Sequence, residues 1–153
     1  MSAKPRLFLT GGGGMVGRNI QDHAAAADWE ILAPRSGELD LTDAGAVAAY
    51  LEAHKPDLVI HAAGRVGGIQ ANMANPVAFL DENLAMGRNV IMGARAAGVT
   101  RLINLASTCM YPREGENPLR EESILTGALE PTNEGYALAK IVAMRLCDYI
   151  RQE

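Results

Sequence analysis

Four consecutive glycines, Gly11 to Gly14, stand directly behind a short apolar run, R-L-F-L-T, and a fifth glycine follows at position 17. Glycine loses more conformational freedom on folding than any other residue, so such a cluster marks backbone that other residues could not adopt. The stretch T-G-G-G-G-M-V-G fits two templates. Gly12, Gly14 and Gly17 satisfy G-x-G-x-x-G, and Gly11, Gly14 and Gly17 satisfy G-x-x-G-x-x-G. Either frame predicts a strand that turns sharply into a helix at a dinucleotide site. Gly11 or Gly12 makes the turn, Gly14 lets the backbone approach a pyrophosphate, and Gly17 packs the helix on the strand. Met15 and Val16 open that helix, whose free N–H groups and positive dipole end attract phosphate.

The rest of the chain repeats the strand–helix alternation. Strands are expected at Arg6–Thr10, Trp29–Ala33, Leu58–Ala63 and Arg101–Ala106, with E-L-D-L at 38–41 a possible further one. Helices are expected from Met15 to Ala27, from Thr42 or Asp43 to His54, from Pro76 to Ala97 with Gly98 as its stop, and from Glu134 onward. The pieces at 64–75 and 107–134 read as irregular. Alternating strands and helices predict an α/β fold, a doubly wound parallel sheet with helices on both faces, here a Rossmann-type NAD(P)-binding domain over residues 1–153.

The second strand ends in A-P-R-S-G. An acid at this place would bond the ribose hydroxyls of NAD, whereas an arginine suits the 2′-phosphate of NADP. Arg35 can pair with that phosphate and Ser36 can donate to it, which favours NADP (NADPH). Glu38 and Asp40 stand close enough to keep NAD open.

Tyr136 and Lys140, in Y-A-L-A-K, fall four residues apart on a predicted helix and so share a face. A free tyrosine titrates near ~10. A nearby ammonium and an oxidised nicotinamide would lower that value and let the phenol donate a proton to a carbonyl. Lysine can also hold the nicotinamide ribose. Ser107 or Thr108, just past the last predicted strand, can donate to the same carbonyl.

The glycine turn, Ser107, Tyr136 and Lys140 together resemble the extended short-chain dehydrogenase/reductase family that acts on nucleotide sugars, whose members use the frame through Gly11, Gly14 and Gly17. The segments H-A-A-G-R-V-G-G-I-Q-A-N, S-T-C-M-Y-P and L-E-P-T-N-E-G-Y-A-L-A-K are similar to the branch that epimerises C3 and C5 of GDP-4-keto-6-deoxymannose and then reduces C4 with NADPH. The resemblance implies that Cys109 exchanges protons beside the ketone, that Ser107 and Tyr136 serve the carbonyl oxygen, and that the substrate is a GDP-sugar. It also implies that Asp40, Leu41, Ala62, Ala63 and Gly64 line the cofactor and that Arg65 and Gly67–Ile69 form the loop near the nicotinamide. Asn83 is expected to hold the long helix or the substrate loop. The family's histidine partner to Cys109 is expected beyond Glu153. His23, His54 and His61 read as structural or surface residues, with His61 near the cofactor, and Cys147 as a core cysteine.

The remaining properties bound this reading. A formal net charge of −4 argues against a broad nucleic-acid face, two cysteines give no disulfide framework, and no metal cluster is legible. The N-terminal apolar run is too short for a signal peptide and no stretch spans a bilayer, so no membrane partner and a cytoplasmic location are expected. The chain is about half the length the resemblance needs, and the substrate region is expected to be missing. An uncovered sheet edge would then favour a homodimer or other self-association, at that edge or through the helices at 76–97 and 134–150. Three functions remain open: the GDP-sugar epimerase/reductase, a related epimerase or dehydratase of another nucleotide sugar, and a dinucleotide-binding module without catalysis.

Overall fold

The computed structural model describes residues 3–153. Four parallel strands form one sheet in the order β2-β1-β3-β4, with β1 at Arg6–Thr10, β2 at Glu30–Leu32, β3 at Leu58–His61 and β4 at Leu102–Asn104. Leu7 pairs with Ile31 on one side and with Leu58 on the other, and Val59 pairs with Leu102. Five helices follow the chain order: α1 at Met15–Asp22, α2 at Ala44–His54, α3 at Ile69–Ala74, α4 at Pro76–Ala96 and α5 at Glu134–Gln152. The parallel α/β architecture of the glycine-turn reading is therefore present.

Alternation along the strands sends side chains to opposite faces. Phe8 and Val59 pack with Leu39, Val47 and Leu51 and with Val90 and Ala94 of α4, all buried. Leu7, Leu9 and Leu58 lie on the other face, against Ile20, Trp29 and Ile31. The sheet thus carries α2 and α4 on one face and α1 on the other. The chain divides into two compact units. One takes the residues up to Gly64 together with Ala85–Leu105, and the other takes Arg65–Leu84 with Ala106–Glu153. Among the described residues no helix is long and apolar enough to cross a membrane.

Several boundaries differ from those the sequence suggests. The segment E-L-D-L is not a strand. Its backbone is spent on a tight turn, in which the Glu38 and Leu39 N–H groups both donate to the Arg35 carbonyl at 2.9 and 3.0 Å. Leu39 is buried in the core and Leu41 packs half-buried against it. The first helix stops at Asp22, because His23 turns extended and its Nδ1 accepts the Ala25 N–H, capping a short 3-10 turn at Ala24–Asp28. Asp43, not Thr42, caps α2, accepting the Ala46 N–H at 3.0 Å. Gly98, at φ 75°, ends α4 as expected. The unforeseen α3 interrupts the irregular piece after β3.

Candidate active site

In the sheet-bearing unit, β1 runs straight into the glycine turn. Gly11 has φ 70°, a left-handed conformation that side chains rarely tolerate. A Cβ there would stand 2.8 Å from the Ala63 nitrogen and 2.9 Å from the Ala62 carbonyl. A Cβ at Gly17 would overlap the Gly11 carbonyl oxygen and lie 2.6 Å from the Gly12 Cα. Gly14, whose N–H donates to the Gly11 carbonyl at 2.9 Å, is the N-cap of α1 and offers no side-chain cap. Sterics therefore give the Gly11–Gly14–Gly17 frame its first and third glycines, and the resemblance had chosen that frame. Gly12, the first glycine of the alternative frame, is also constrained, since a Cβ there would meet Ala33 Cβ at 2.8 Å. Met15 and Val16 are exposed at 79% and 40% on the opening turn of α1. The bare cradle and the uncapped helix start fit a pyrophosphate.

The end of β3 is tied to this turn. Thr10 and His61 are both buried, with Thr10 Oγ1 2.7 Å from His61 Nδ1. The same hydroxyl accepts the Ala63 N–H at 3.1 Å. Ala62, Ala63 and Gly64 follow, half-buried. His61 is thus an internal fastener and does not line a crevice. His23 caps a turn and His54 stacks on Tyr50 with ring centroids 4.2 Å apart.

Beyond β2, the Glu38 carboxylate accepts the Arg35 N–H at 2.7 Å. Asp40 accepts both the N–H and the hydroxyl of Thr42, at 2.8 and 2.7 Å, and these bonds hold its carboxyl below the usual range. Both acids are engaged in local turns, while the Arg35 and Ser36 side chains are exposed. Leu41 lies partly buried on the core, and Asn89 holds its carbonyl at 3.0 Å.

In the other unit, α5 presents Tyr136 and Lys140 on one face, with the Lys140 Nζ 5.8 Å from the Tyr136 ring centroid. Ser107 precedes a 3-10 turn at Thr108–Met110 that packs on α5 through Met110, Ala137 and Ile141. The Cys109 thiol donates to Ser107 Oγ at 3.2 Å, and the Ser107 hydroxyl hydrogen-bonds the Tyr136 phenol. Four side chains from two distant segments therefore form one cluster, and Thr108 stands exposed outside it. The electrostatics differ from the expectation. Burial raises the Tyr136 phenol above its ordinary value, Cys109 nearby raises it further, and only the Ser107 bond opposes them. Burial likewise lowers Lys140, with Cys109 partly restoring it. Desolvation thus outweighs the lysine's expected influence on Tyr136 in this unit by itself. Cys147, half-buried on α5, has its thiol raised by burial and then by Asp148.

Asn83, buried on α4, grips the loop after Gly64. Its carboxamide accepts the Arg65 N–H at 2.8 Å and donates to the Arg65 and Phe79 carbonyls at 3.0 and 2.7 Å. The Arg65 guanidinium bonds Glu82 at 2.8 Å and lies over the Phe79 ring. Asn72, which the sequence reading missed, holds the Gly67 and Gly68 carbonyls at 2.9 and 3.1 Å. Its only signal is a lone asparagine four residues after G-G. Among the described residues no group of three or more His, Cys, Asp and Glu side chains could hold a metal.

A model of the NAD dependent epimerase/dehydratase family matches residues 7–153. The GDP-L-colitose synthase of Yersinia pseudotuberculosis is 52% identical over 148 residues, covering 97% of this chain and 48% of that protein. The GDP-L-fucose synthase of Azorhizobium caulinodans is 53% identical over 150 residues, covering 98% and 48%. A GDP-L-fucose synthetase from Naegleria fowleri, solved with NADP bound, superposes with a TM-score of 0.88 at 30% identity, covering 99% of this chain and 46% of that one. The chain spans about half the length of the curated relatives it matches.

Proposed function

The chain belongs to the NAD dependent epimerase/dehydratase family, and from that premise we propose that it is the cofactor-binding and proton-handling half of an NADPH-dependent epimerase/reductase that converts GDP-4-keto-6-deoxymannose to GDP-L-fucose. The observation that carries this reading is the cluster of Ser107, Cys109, Tyr136 and Lys140. An enzyme that only reduces a ketone needs a proton donor at its oxygen. One that also epimerises needs a base beside the carbonyl, and the thiol hydrogen-bonded to Ser107 supplies one.

The chemistry follows from these groups. As a thiolate, Cys109 takes a proton from the carbon next to the ketone. The electron pair moves into an enolate, whose oxygen is stabilised by donors from Ser107 and Tyr136. A second acid on the opposite face, the histidine that the resemblance places beyond Glu153, returns a proton there and inverts that carbon. In the reductive step the Tyr136 phenol, kept protonated by its surroundings, delivers its proton to the C4 oxygen. NADPH, when bound, would supply the hydride. Gly11, Gly14 and Gly17 would cradle its pyrophosphate, Arg35 and Ser36 would meet its 2′-phosphate, and Lys140 would hold its ribose.

A second reading has a specific support. The relative named GDP-L-colitose synthase is as similar to this chain as the fucose synthase is, so the substrate can be another GDP-sugar of the same kind. We extend the proposal to self-association. β4 is the edge of the sheet, and Leu138, Val142 and Tyr149 expose 38%, 47% and 59% of their surface along α5.

To test the reading, the chain is fused to the C-terminal remainder of the Azorhizobium fucose synthase. In deuterated water the fusion is expected to oxidise NADPH with GDP-4-keto-6-deoxymannose and to place deuterium at C3 and C5. Oxidation without deuterium would reduce the reading to a ketone reductase, and no oxidation would contradict it.

A further inference from the structure

The peptide between Gly12 and Gly13 has a glycine on each side, so neither orientation of its carbonyl meets a Cβ and the loop's own backbone barely decides between them. The orientation matters for an anion. A carbonyl turned toward a phosphate repels it, whereas the N–H of the same peptide attracts it. An external lock is present. Gln21, on α1, donates one carboxamide N–H to the Gly12 carbonyl at 2.8 Å and the other to the Gly17 carbonyl at 3.1 Å. Two neighbouring carbonyls are secured by the backbone itself, Gly11 by the Gly14 N–H at 2.9 Å and Gly14 by the Arg18 N–H at 3.0 Å. The Gly12 carbonyl is held by a side chain instead.

A trans peptide points its N–H opposite to its C=O. Holding the Gly12 carbonyl on the α1 side therefore turns the Gly13 N–H away from α1. Gly13 is exposed, and a Cβ built on it would meet nothing within 4 Å. We infer that Gln21 is a positioning residue that fixes the Gly12–Gly13 peptide with its N–H available to the pyrophosphate of the dinucleotide. The inference rests on the dinucleotide reading of the glycine turn. It also accounts for a polar residue whose carboxamide reaches back nine positions into a loop of glycines.

The test is a titration of the wild-type chain, Gln21→Leu and Gln21→Lys with NADPH and with adenosine 2′-monophosphate, which shares the 2′-phosphate but has neither phosphate of the pyrophosphate. Gln21 is on the exposed side of α1, so the fold should survive each change, and thermal unfolding checks that it does. Gln21→Leu is expected to weaken NADPH about ten-fold, the scale of one hydrogen bond to a charged group, and to leave the 2′-monophosphate within about two-fold. Gln21→Lys, which keeps a donor for the two carbonyls, restores most of the NADPH affinity. Unchanged NADPH binding by Gln21→Leu, or equal loss of both ligands, overturns the positioning role while leaving the dinucleotide reading intact. A wild-type chain that binds neither ligand overturns both.

Discussion

Gly17→Ala is expected to lower stability by about 3 kcal/mol, the upper end of overpacking costs, and to weaken NADPH more than ~100-fold. The added methyl would overlap the Gly11 carbonyl oxygen and stand 2.6 Å from the Gly12 Cα. Both obstacles are backbone, so no side chain can rotate away. Relief requires α1 to move off β1. That movement opens the buried contact at Gly17 and displaces the N–H groups at the helix start from the phosphate. Urea unfolding and a cofactor titration on the same variant measure the two effects. Gly13→Ala is the internal control. A Cβ there meets nothing within 4 Å and the backbone is not in the left-handed region, so its stability should change by less than about 0.5 kcal/mol. Equal stability of the two variants would contradict the close approach of α1 and β1.

Tyr136→Phe is expected to cut reduction by the fused enzyme about 1,000-fold, within the usual range for a lost general acid, while changing NADPH affinity little. Its phenol is raised above 10.0 by burial and by Cys109, so it remains a proton donor throughout the neutral range. Cys109→Ser removes one of the raising influences and should bring the phenol down. Ser107→Ala removes the bond that stabilises the phenolate and should push it higher. Alkaline tyrosinate absorbance, taken as the difference between wild type and Tyr136→Phe, isolates this group among four tyrosines. The sign of the stability effect follows. A raised phenol contributes stability that is complete below 10.0 and disappears as pH climbs through the raised value. Lys140 acts oppositely. Its lowered ammonium contributes stability that is present above 10.5 and is lost as pH falls through the lowered value. A Tyr136 group titrating below 10.0 in the free chain would contradict this account.

The parts of the site that the sequence exposed are those fixed by local rules. Gly11, Gly14 and Gly17 are legible because a strand-to-helix turn has a short, rigid spacing. Tyr136 and Lys140 are legible because four residues make a helix face. What escaped depends on tertiary contact. E-L-D-L has the alternation of a strand, yet Glu38 and Asp40 spend their carboxylates on neighbouring N–H groups, and Leu39 and Leu41 meet the core from a turn. His23 ends the first helix by capping the next turn, although the alanines after it would continue a helix by propensity alone. The six residues of α3 are too few for periodicity to reveal them. The burial that raises the Tyr136 phenol is invisible in a Y-x-x-x-K pattern. The grips of Asn72 and Gln21 on glycine carbonyls were missed for the same reason, since a carboxamide's partners are set by the folded backbone.

If the glycine turn and Arg35 make this chain an NADPH-binding unit, titrating the 153-residue chain with NADPH and NADH, followed by nicotinamide fluorescence, will show it. Saturable binding of NADPH at least about ten-fold tighter than NADH is expected, from the charge-assisted contact of Arg35 with the 2′-phosphate. Arg35→Ala should reduce that preference to near unity. Equal or tighter binding of NADH, or binding of neither dinucleotide by a folded chain, would contradict it.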